Sequence, residues 1–421
     1  MNAAVNKITS LLFSKNHIHG KNKKSSDKKS LKILIITPYA PYPVYTGGAS
    51  RIYEKIKYFG ARHHLTVASL YNTNEQKKGL IKILSPHTVK LILVERKKPY
   101  LIMREKIPDN ILKVTTKKMY KTLKKYAYSF DIIMFEHIYT ACYRDIFKSG
   151  LKILEEHNIE SNILYQSDKV FVNDSHKYKY DNKEKADLLY AFETKNWPLF
   201  DLRTTVSNED KKLMQSRCDG EIYTIANGVN FDNIEPVECN NISSSKILFM
   251  GHLSYWPNIQ GIKYYLNEIH PLIIRQDDKI KLCIAGRNPD EEIIELTNRN
   301  NIECIADPLD MYNIAKNCIL TIVPLLSGGG TRIKIIHSMA MGLPVVTTSL
   351  GSQGLGVENR KHILINDDPA SFANSILEVI NDPELRRKLI DNGLAYVRDN
   401  HDYSKIFENY ENLLLNETYS C

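Results

Sequence analysis

The sequence predicts an α/β protein built from two doubly wound, parallel-sheet domains. Three observations carry that expectation. Apolar runs of strand length recur along the chain, helical patterns lie between them, and glycines mark several strand-to-helix turns. A polar segment, Asp232–Ser245, which contains CNNISSS, separates the runs into two series.

The first series opens at Leu31. The run LKILIIT has the continuous apolar character of a strand buried on both faces. Pro38, Pro41 and Pro43 then break the chain, and Gly47-Gly48 precede a helical pattern over Ser50–Phe59. Leu65–Leu70, Val89–Val94, Asp131–Phe135 and Lys152–Glu155 read as further strands, and residues 182–197 and 207–216 as helices.

The second series begins with a strand at Lys246–Met250, closed by Gly251, and a helix at Asn258–His270. Lys281–Ala285 is a strand ending at Gly286. Leu320–Pro324 is a strand followed by three glycines and a helix to Met341, where Gly342 stands as a C-cap. Pro344–Thr348 is the next strand, and Ala370–Ile380 and Pro383–Asn392 are helices. The expected organisation is a disordered basic arm over 1–30, a first domain over 31–231, a linker over 232–245, a second domain over 246–402 and a closing segment over 403–421.

Composition bounds the partners loosely. The formal charge of +9 suits anionic ligands, an anionic membrane surface or nucleic acid, and chooses none of them. No stretch approaches the ~18 apolar residues of a membrane-spanning helix. The patch Ile8–Phe13 lacks a full apolar core and a small-residue cleavage site, so no secretory signal is expected. The seven cysteines are scattered and form no Cys-x-x-Cys pair, which fits a reducing cytoplasm and argues against a disulfide scaffold or zinc ribbon.

The most informative segment is SGGGTRIKIIHSMAMG. Gly328, Gly329 and Gly330 let the backbone turn tightly against a ligand, and the helix that follows offers free N–H groups to an anion. Arg332 can fork onto two phosphate oxygens, while Lys334 supplies a point charge. The combination suits a diphosphate. It is neither a P-loop nor a Gly-x-Gly-x-x-Gly dinucleotide fingerprint. Gly47-Gly48 with Arg51 repeats the logic in the first domain, and the amides of Gly351, Ser352 and Gly354 follow the next strand of the second. An ordinary turn is the alternative at both places.

These pieces resemble the GT-B glycosyltransferases of family 4, especially a bacterial subgroup acting in polysaccharide assembly. The matching segments are ILIITPYAPYPVYTGGASRIY, LEEHNIES, TVSNEDKKLM, IANGVNFD, FMGHLSYWPNIQGIKYYLNEIHPLI, IAGRNP and VPLLSGGGTRIKIIHSMAMGLPVVTTSLGSQGLGV, with the helical tail. The resemblance implies two Rossmann-like domains facing across a cleft, the second holding a UDP- or GDP-sugar and the first a glycan or lipid-linked acceptor. It implies retaining transfer without a metal or other cofactor, and a final helix, about Tyr403–Leu415, that crosses back to the first domain.

By the same resemblance, Arg332 and Lys334 neutralise the leaving diphosphate, and His157 approaches the transferred sugar and the acceptor hydroxyl. Gly47, Gly48, Gly251, Arg287, Gly329, Gly330, Thr331, His337, Gly351, Ser352 and Gly354 fall on the donor side, with Tyr312 near the base. His137 and Glu160 fall on the acceptor side. Two departures stand out. His337 occupies a position where the family usually has a ribose-binding glutamate, and His252 replaces a common arginine. The basic run TKKMYKTLKKYAY, over 116–128, reads as a solvated helix or as one lying on anionic lipid at 117–126. A nucleotide-sugar-binding subunit without catalysis and a nucleotide-sugar epimerase are the competing readings. Nucleic acid is not an expected partner, for want of a binding motif.

Overall fold

The computed structural model describes residues 30–44, 46–96, 107–170, 182–234, 236, 245–299, 302–308 and 310–419. The expected arm, apart from Ser30, and most of the expected linker at 232–245 lie outside the described residues.

Among the described residues thirteen strands form two sheets. They are β1 (Lys32–Ile36), β2 (His64–Tyr71), β3 (Lys90–Glu95), β4 (Ile132–Glu136), β5 (Leu151–Glu155), β6 (Leu202–Thr205), β7 (Ile222–Thr224), β8 (Lys246–His252), β9 (Lys281–Arg287), β10 (Glu303–Ala306), β11 (Leu320–Val323), β12 (Val345–Thr347) and β13 (Leu364–Ile365). The first sheet runs β3-β2-β1-β4-β5-β6-β7 and the second β10-β9-β8-β11-β12-β13. Every pairing is parallel.

The helices are α1 (Gly47–Gly60), α2 (Asn74–Leu84), α3 (Asp109–Val114), α4 (Lys117–Lys124), α5 (Glu160–Val170), α6 (Asn182–Asn196), α7 (Asn208–Gln215), α8 (Trp256–Tyr264), α9 (His270–Ile274), α10 (Glu291–Arg299), α11 (Met311–Ala315), α12 (Ile333–Ala340), α13 (Ser349–Ser352), α14 (Pro369–Asn381), α15 (Pro383–Asn400) and α16 (Tyr403–Tyr419).

The unbroken apolar runs now have a cause. In β1, Leu34 and Ile36 enter one core layer while Ile33 and Ile35 enter the layer on the opposite face. In β8, Ile247 and Phe249 divide from Leu248 and Met250 in the same way. Helices cover both faces, so the inner positions of these two strands are shut off from water. In each sheet the strand order reverses beside the first strand, between β1 and β4 and between β8 and β11. Ligands of open α/β sheets bind outside the carboxyl ends of the strands at that reversal.

Several boundaries differ from the sequence reading. The helix expected at Asn258–His270 starts at Trp256 and continues through a π-helical turn, Tyr265–Ile269, into α9. The helix expected to stop at Asn392 runs on to Asn400. Gly393 does not end it. A Cβ there would come within 3.3 Å of Met339, so the glycine lets α15 pack closely on α12. Gly342, at φ +76, does terminate α12.

The closing helix α16 packs on the first sheet's side. Tyr410 donates to Glu155 Oε1 at 3.0 Å, Tyr58 donates to Glu411 Oε2 at 3.0 Å, and Phe407 meets Phe59. The chain passes between the sheets at two paired strands of backbone. Val229 N donates to His401 O at 2.8 Å and Tyr403 N to Val229 O at 3.1 Å.

The lysine-rich run forms α4. Met119 and Leu123 are buried in the first domain's core. The exposed face consists of Lys117, Lys118, Lys121, Lys124 and Lys125 with Tyr120, and Tyr128 is exposed beyond it. Among the described residues no helix is long and apolar enough to cross a membrane.

Candidate active site

Residues that follow β1, β4 and β5 in the first domain lie beside the end of β8 and the 328–334 loop of the second. The glycine loop meets the first domain directly. A Cβ on Gly329 would collide with Ile163, and one on Gly330 with the Asn158 side chain. Gly330 also sits at φ +64, a conformation that side chains resist. Thr331 accepts from Asn227 Nδ2 at 2.6 Å. Gly354 presses on Ser207 and Thr331, and Gly47 on Ile333.

The two cations of the loop behave differently. Arg332 does not project as the fork expected from sequence. It turns back, its Nη2 donating to Gly328 O at 2.9 Å and its Nη1 to the carbonyls of Gly329 and Gly330. A planar guanidinium can collect three converging carbonyls, which is why this residue shapes the loop. Its Nε is buried without a partner. Burial lowers its pKa from the usual value, against the pull of Tyr255 and Asp210.

Lys334 lies on the first turn of α12. Its Nζ donates to Asn258 Oδ1 at 2.7 Å and sits 4.6 Å above the Phe249 ring, close to Gly251. Burial, and then the neighbouring Arg332 charge, pull its pKa down to about 7. Among the described residues neither cation has a carboxylate within ion-pairing distance. One buried and one partly buried cation at a helix N-terminus, without a carboxylate counter-charge among the described residues, make a candidate anion site.

On the facing wall, His157 is 7 % exposed and its Nε2 lies 2.8 Å from Glu136 Oε2. Burial, against the attraction of Glu136, lowers its pKa to about 4, so the ring is neutral. Its Nδ1 is buried with no partner, beside Gly48. His137 is held at φ +68, with Nε2 3.0 Å from Glu160 Oε1 and its ring stacked on Tyr139. Burial works to lower its pKa, but Glu160 and Glu156 more than offset this, so it is raised. Glu156 is pushed up by burial to about 8 and accepts from Trp197 Nε1. The acceptor-side pair expected from sequence, His137 and Glu160, is therefore one hydrogen-bonded unit beside His157.

Other expectations fare unevenly. Arg51 does not join Gly47-Gly48 as an anion site. It is 1 % exposed, donates to Ala226 O at 2.8 Å and faces Glu155 at 3.9 Å. The amides of Gly351 and Ser352 are engaged within their own turn, by Thr348 Oγ1 and Thr348 O. His337 makes no side-chain hydrogen bond with the described residues, and burial holds its pKa near 4. Arg287 pairs in register with His252 at the β9–β8 ends and lies 3.9 Å from Asp307. Tyr312 packs beside the Leu248 layer, with Lys316 over its ring. Sequence reasoning missed Glu136, Lys55, Asn158, Asn227 and Asn258. The only local signal was the acid–histidine pair closing both β4 (Glu136-His137) and β5 (Glu156-His157). Among the described residues no three His, Cys, Asp or Glu side chains converge to hold a metal ion.

Residues 244–382 match the family model described as glycosyl transferases group 1. An uncharacterized 44.6 kDa protein in the cps region of Klebsiella pneumoniae is 25 % identical over 397 residues, covering 89 % of this chain and 98 % of that protein. Among solved structures, sucrose-phosphate synthase of Thermosynechococcus elongatus superposes with a TM-score of 0.70 at 16 % identity, covering 93 % of this chain and 100 % of that one. Anabaena HepE, in complex with UDP and glucose, gives a TM-score of 0.67 at 13 % identity over 91 % of this chain and 99 % of that one.

Proposed function

We propose that the chain, which has the GT-B fold and matches the group 1 glycosyl transferase model over residues 244–382, is a glycosyltransferase that moves a sugar from a nucleoside diphosphate sugar to a glycan or lipid-linked acceptor, with retention at the anomeric carbon. The observation that supports this most is the pair of cations at the start of α12, Arg332 buried and Lys334 partly buried, with no carboxylate counter-charge among the described residues.

In this reading the donor diphosphate lies along the loop at Gly329, Gly330 and Thr331, near Gly251. The C1–O bond to the diphosphate breaks while the acceptor oxygen bonds to C1 on the same face. The acceptor proton leaves to the departing phosphate oxygen. Lys334 and the loop amides carry the charge that develops there, which a metal ion would otherwise neutralise. Arg332 keeps the loop in shape and adds its field. His157 Nδ1 accepts from a sugar hydroxyl, and the His137–Glu160 pair faces the acceptor. The UDP in the Anabaena protein favours a uridine nucleotide among the candidate bases. The cps region of the Klebsiella relative favours surface polysaccharide assembly. Work at the inner face of a membrane, from the cytoplasm, would use the lysine heads of α4 as a salt-sensitive contact with anionic headgroups.

A binding subunit without catalysis is the second reading, favoured by one observation: His337 offers a single acceptor nitrogen where a ribose-binding carboxylate is usual. The test is a panel of UDP-, GDP- and ADP-sugars with lipid and glycan acceptors, read by nucleoside diphosphate release and by the anomeric proton of the product. Release with a retained anomer is expected. Nucleotide binding with no release from any donor would favour the subunit.

A further inference from the structure

A chain of buried charges runs from the closing helix to the cleft. Glu155 of β5 accepts from Tyr410 of α16 at 3.0 Å and faces Arg51 of α1 at 3.9 Å. Lys55 of α1 is fully buried and is shared between Glu155 and Glu136 Oε1, the latter at 2.7 Å. The other oxygen of Glu136 reaches His157 Nε2 at 2.8 Å. His137 approaches the same ring, with centroids 5.7 Å apart.

We propose that Glu136, held in place by Lys55, is a positioning residue that fixes the tautomer of His157 and so leaves Nδ1 as a hydrogen-bond acceptor for a substrate hydroxyl. The inference deepens the transferase reading and rests on it for the identity of the ligand.

Burial alone would raise the Glu136 carboxyl, but Lys55 and His157 beside it hold it well below the usual carboxylate range. An ionised carboxylate has only lone pairs to offer. The proton in the 2.8 Å contact therefore belongs to His157 Nε2. A neutral ring with Nε2–H carries its lone pair on Nδ1. That atom is buried and unpartnered among the described residues. It faces Gly48, where even a Cβ would lie only 3.1 Å away. The Tyr39 hydroxyl lies closer still to that point and shares the space the missing side chain leaves beside Nδ1. Without the carboxylate either ring nitrogen could hold the proton, and a ring with Nδ1–H would offer the sugar hydroxyl no lone pair there.

Full-length protein labelled with 15N-histidine, with His157 assigned through a His157→Gln variant, gives the tautomer directly from two-bond proton–nitrogen spectra near neutral pH. The Nε2–H form is expected. In Glu136→Gln, Lys55 donates to the amide oxygen and turns the NH2 group toward His157, so the proton should move to Nδ1. Turnover should then fall at least about tenfold while nucleoside diphosphate affinity changes less than about twofold. An Nδ1–H or doubly protonated His157 in the wild type would overturn the proposal. So would an inverted tautomer in Glu136→Gln with unchanged turnover. If that variant does not fold, the wild-type spectrum still decides. Because the spectrum needs no activity, failure of the transferase reading and failure of the tautomer assignment are told apart.

Discussion

Lys334 Nζ donates to Asn258 Oδ1 at 2.7 Å, and Asn258 Nδ2 in turn donates to the His252 carbonyl at 2.9 Å. The lysine is thus aimed by a neutral amide anchored to the end of β8. Among the described residues it lacks the carboxylate that would make it a structural ion pair.

The first prediction concerns protons. With its pKa near 7 from burial and the Arg332 charge, Lys334 is mostly deprotonated at pH 8 in the free protein. A bound diphosphate favours the charged form, so binding at pH 8 should take up about one proton. Affinity should be flat below about pH 7 as far as Lys334 is concerned and weaken as pH rises above it. Titration calorimetry of UDP and GDP in buffers of different ionisation enthalpy reads this. Lys334→Met should abolish the uptake. A wild type with no proton uptake would contradict the assignment.

Arg332→Ala should lower turnover at least about tenfold, through loss of loop geometry and of positive field. Arg332→Lys should fail to restore it, since an ammonium cannot span the carbonyls of Gly328, Gly329 and Gly330 that the guanidinium collects. Steady-state kinetics with a working donor decides. Full activity in the lysine variant would mean that charge alone matters here.

Gly330→Ala tests the loop shape without touching a charge. The left-handed backbone costs about 1–2 kcal/mol for a residue with a Cβ, and that Cβ would meet Asn158. Nucleotide binding should drop by at least about tenfold while circular dichroism stays native. Unchanged binding would show that the loop has slack the structure does not suggest.

His337→Glu should keep or tighten nucleoside diphosphate binding if residue 337 faces the ribose, because a carboxylate accepts from two hydroxyls at once. Calorimetry with a ribo- and a 2′-deoxynucleotide gives the contrast, and the gap between them should widen in the variant. A large loss of affinity would remove position 337 from the ribose site.

How much of this was legible beforehand varies by physical cause. Strands buried on both faces announce themselves, as β1 and β8 do, because every residue must be apolar. Short edge strands do not: β10 is only four residues with exposed ends, and β7 only three. The helix expected over Pro383–Asn392 runs on past Gly393, because propensity knows nothing of Met339 across the helix interface. Within the site, the loop glycines and its two cations were visible because they are contiguous. The partners that give them meaning were not. Asn258 lies 76 residues from Lys334, Asn227 lies 104 from Thr331, and Lys55 lies 81 from Glu136. Arg51 was misread for the same reason, since its ties to Ala226 and Glu155 are long-range.

The central claim is that the 328–334 loop cradles a diphosphate. Affinity for a nucleoside diphosphate against its monophosphate, in the wild type and in Lys334→Ala, measures it most directly. The account predicts that the diphosphate binds at least about tenfold tighter in the wild type, and that this advantage collapses in the variant. Equal affinities in the wild type, or an advantage that survives the substitution, would contradict it.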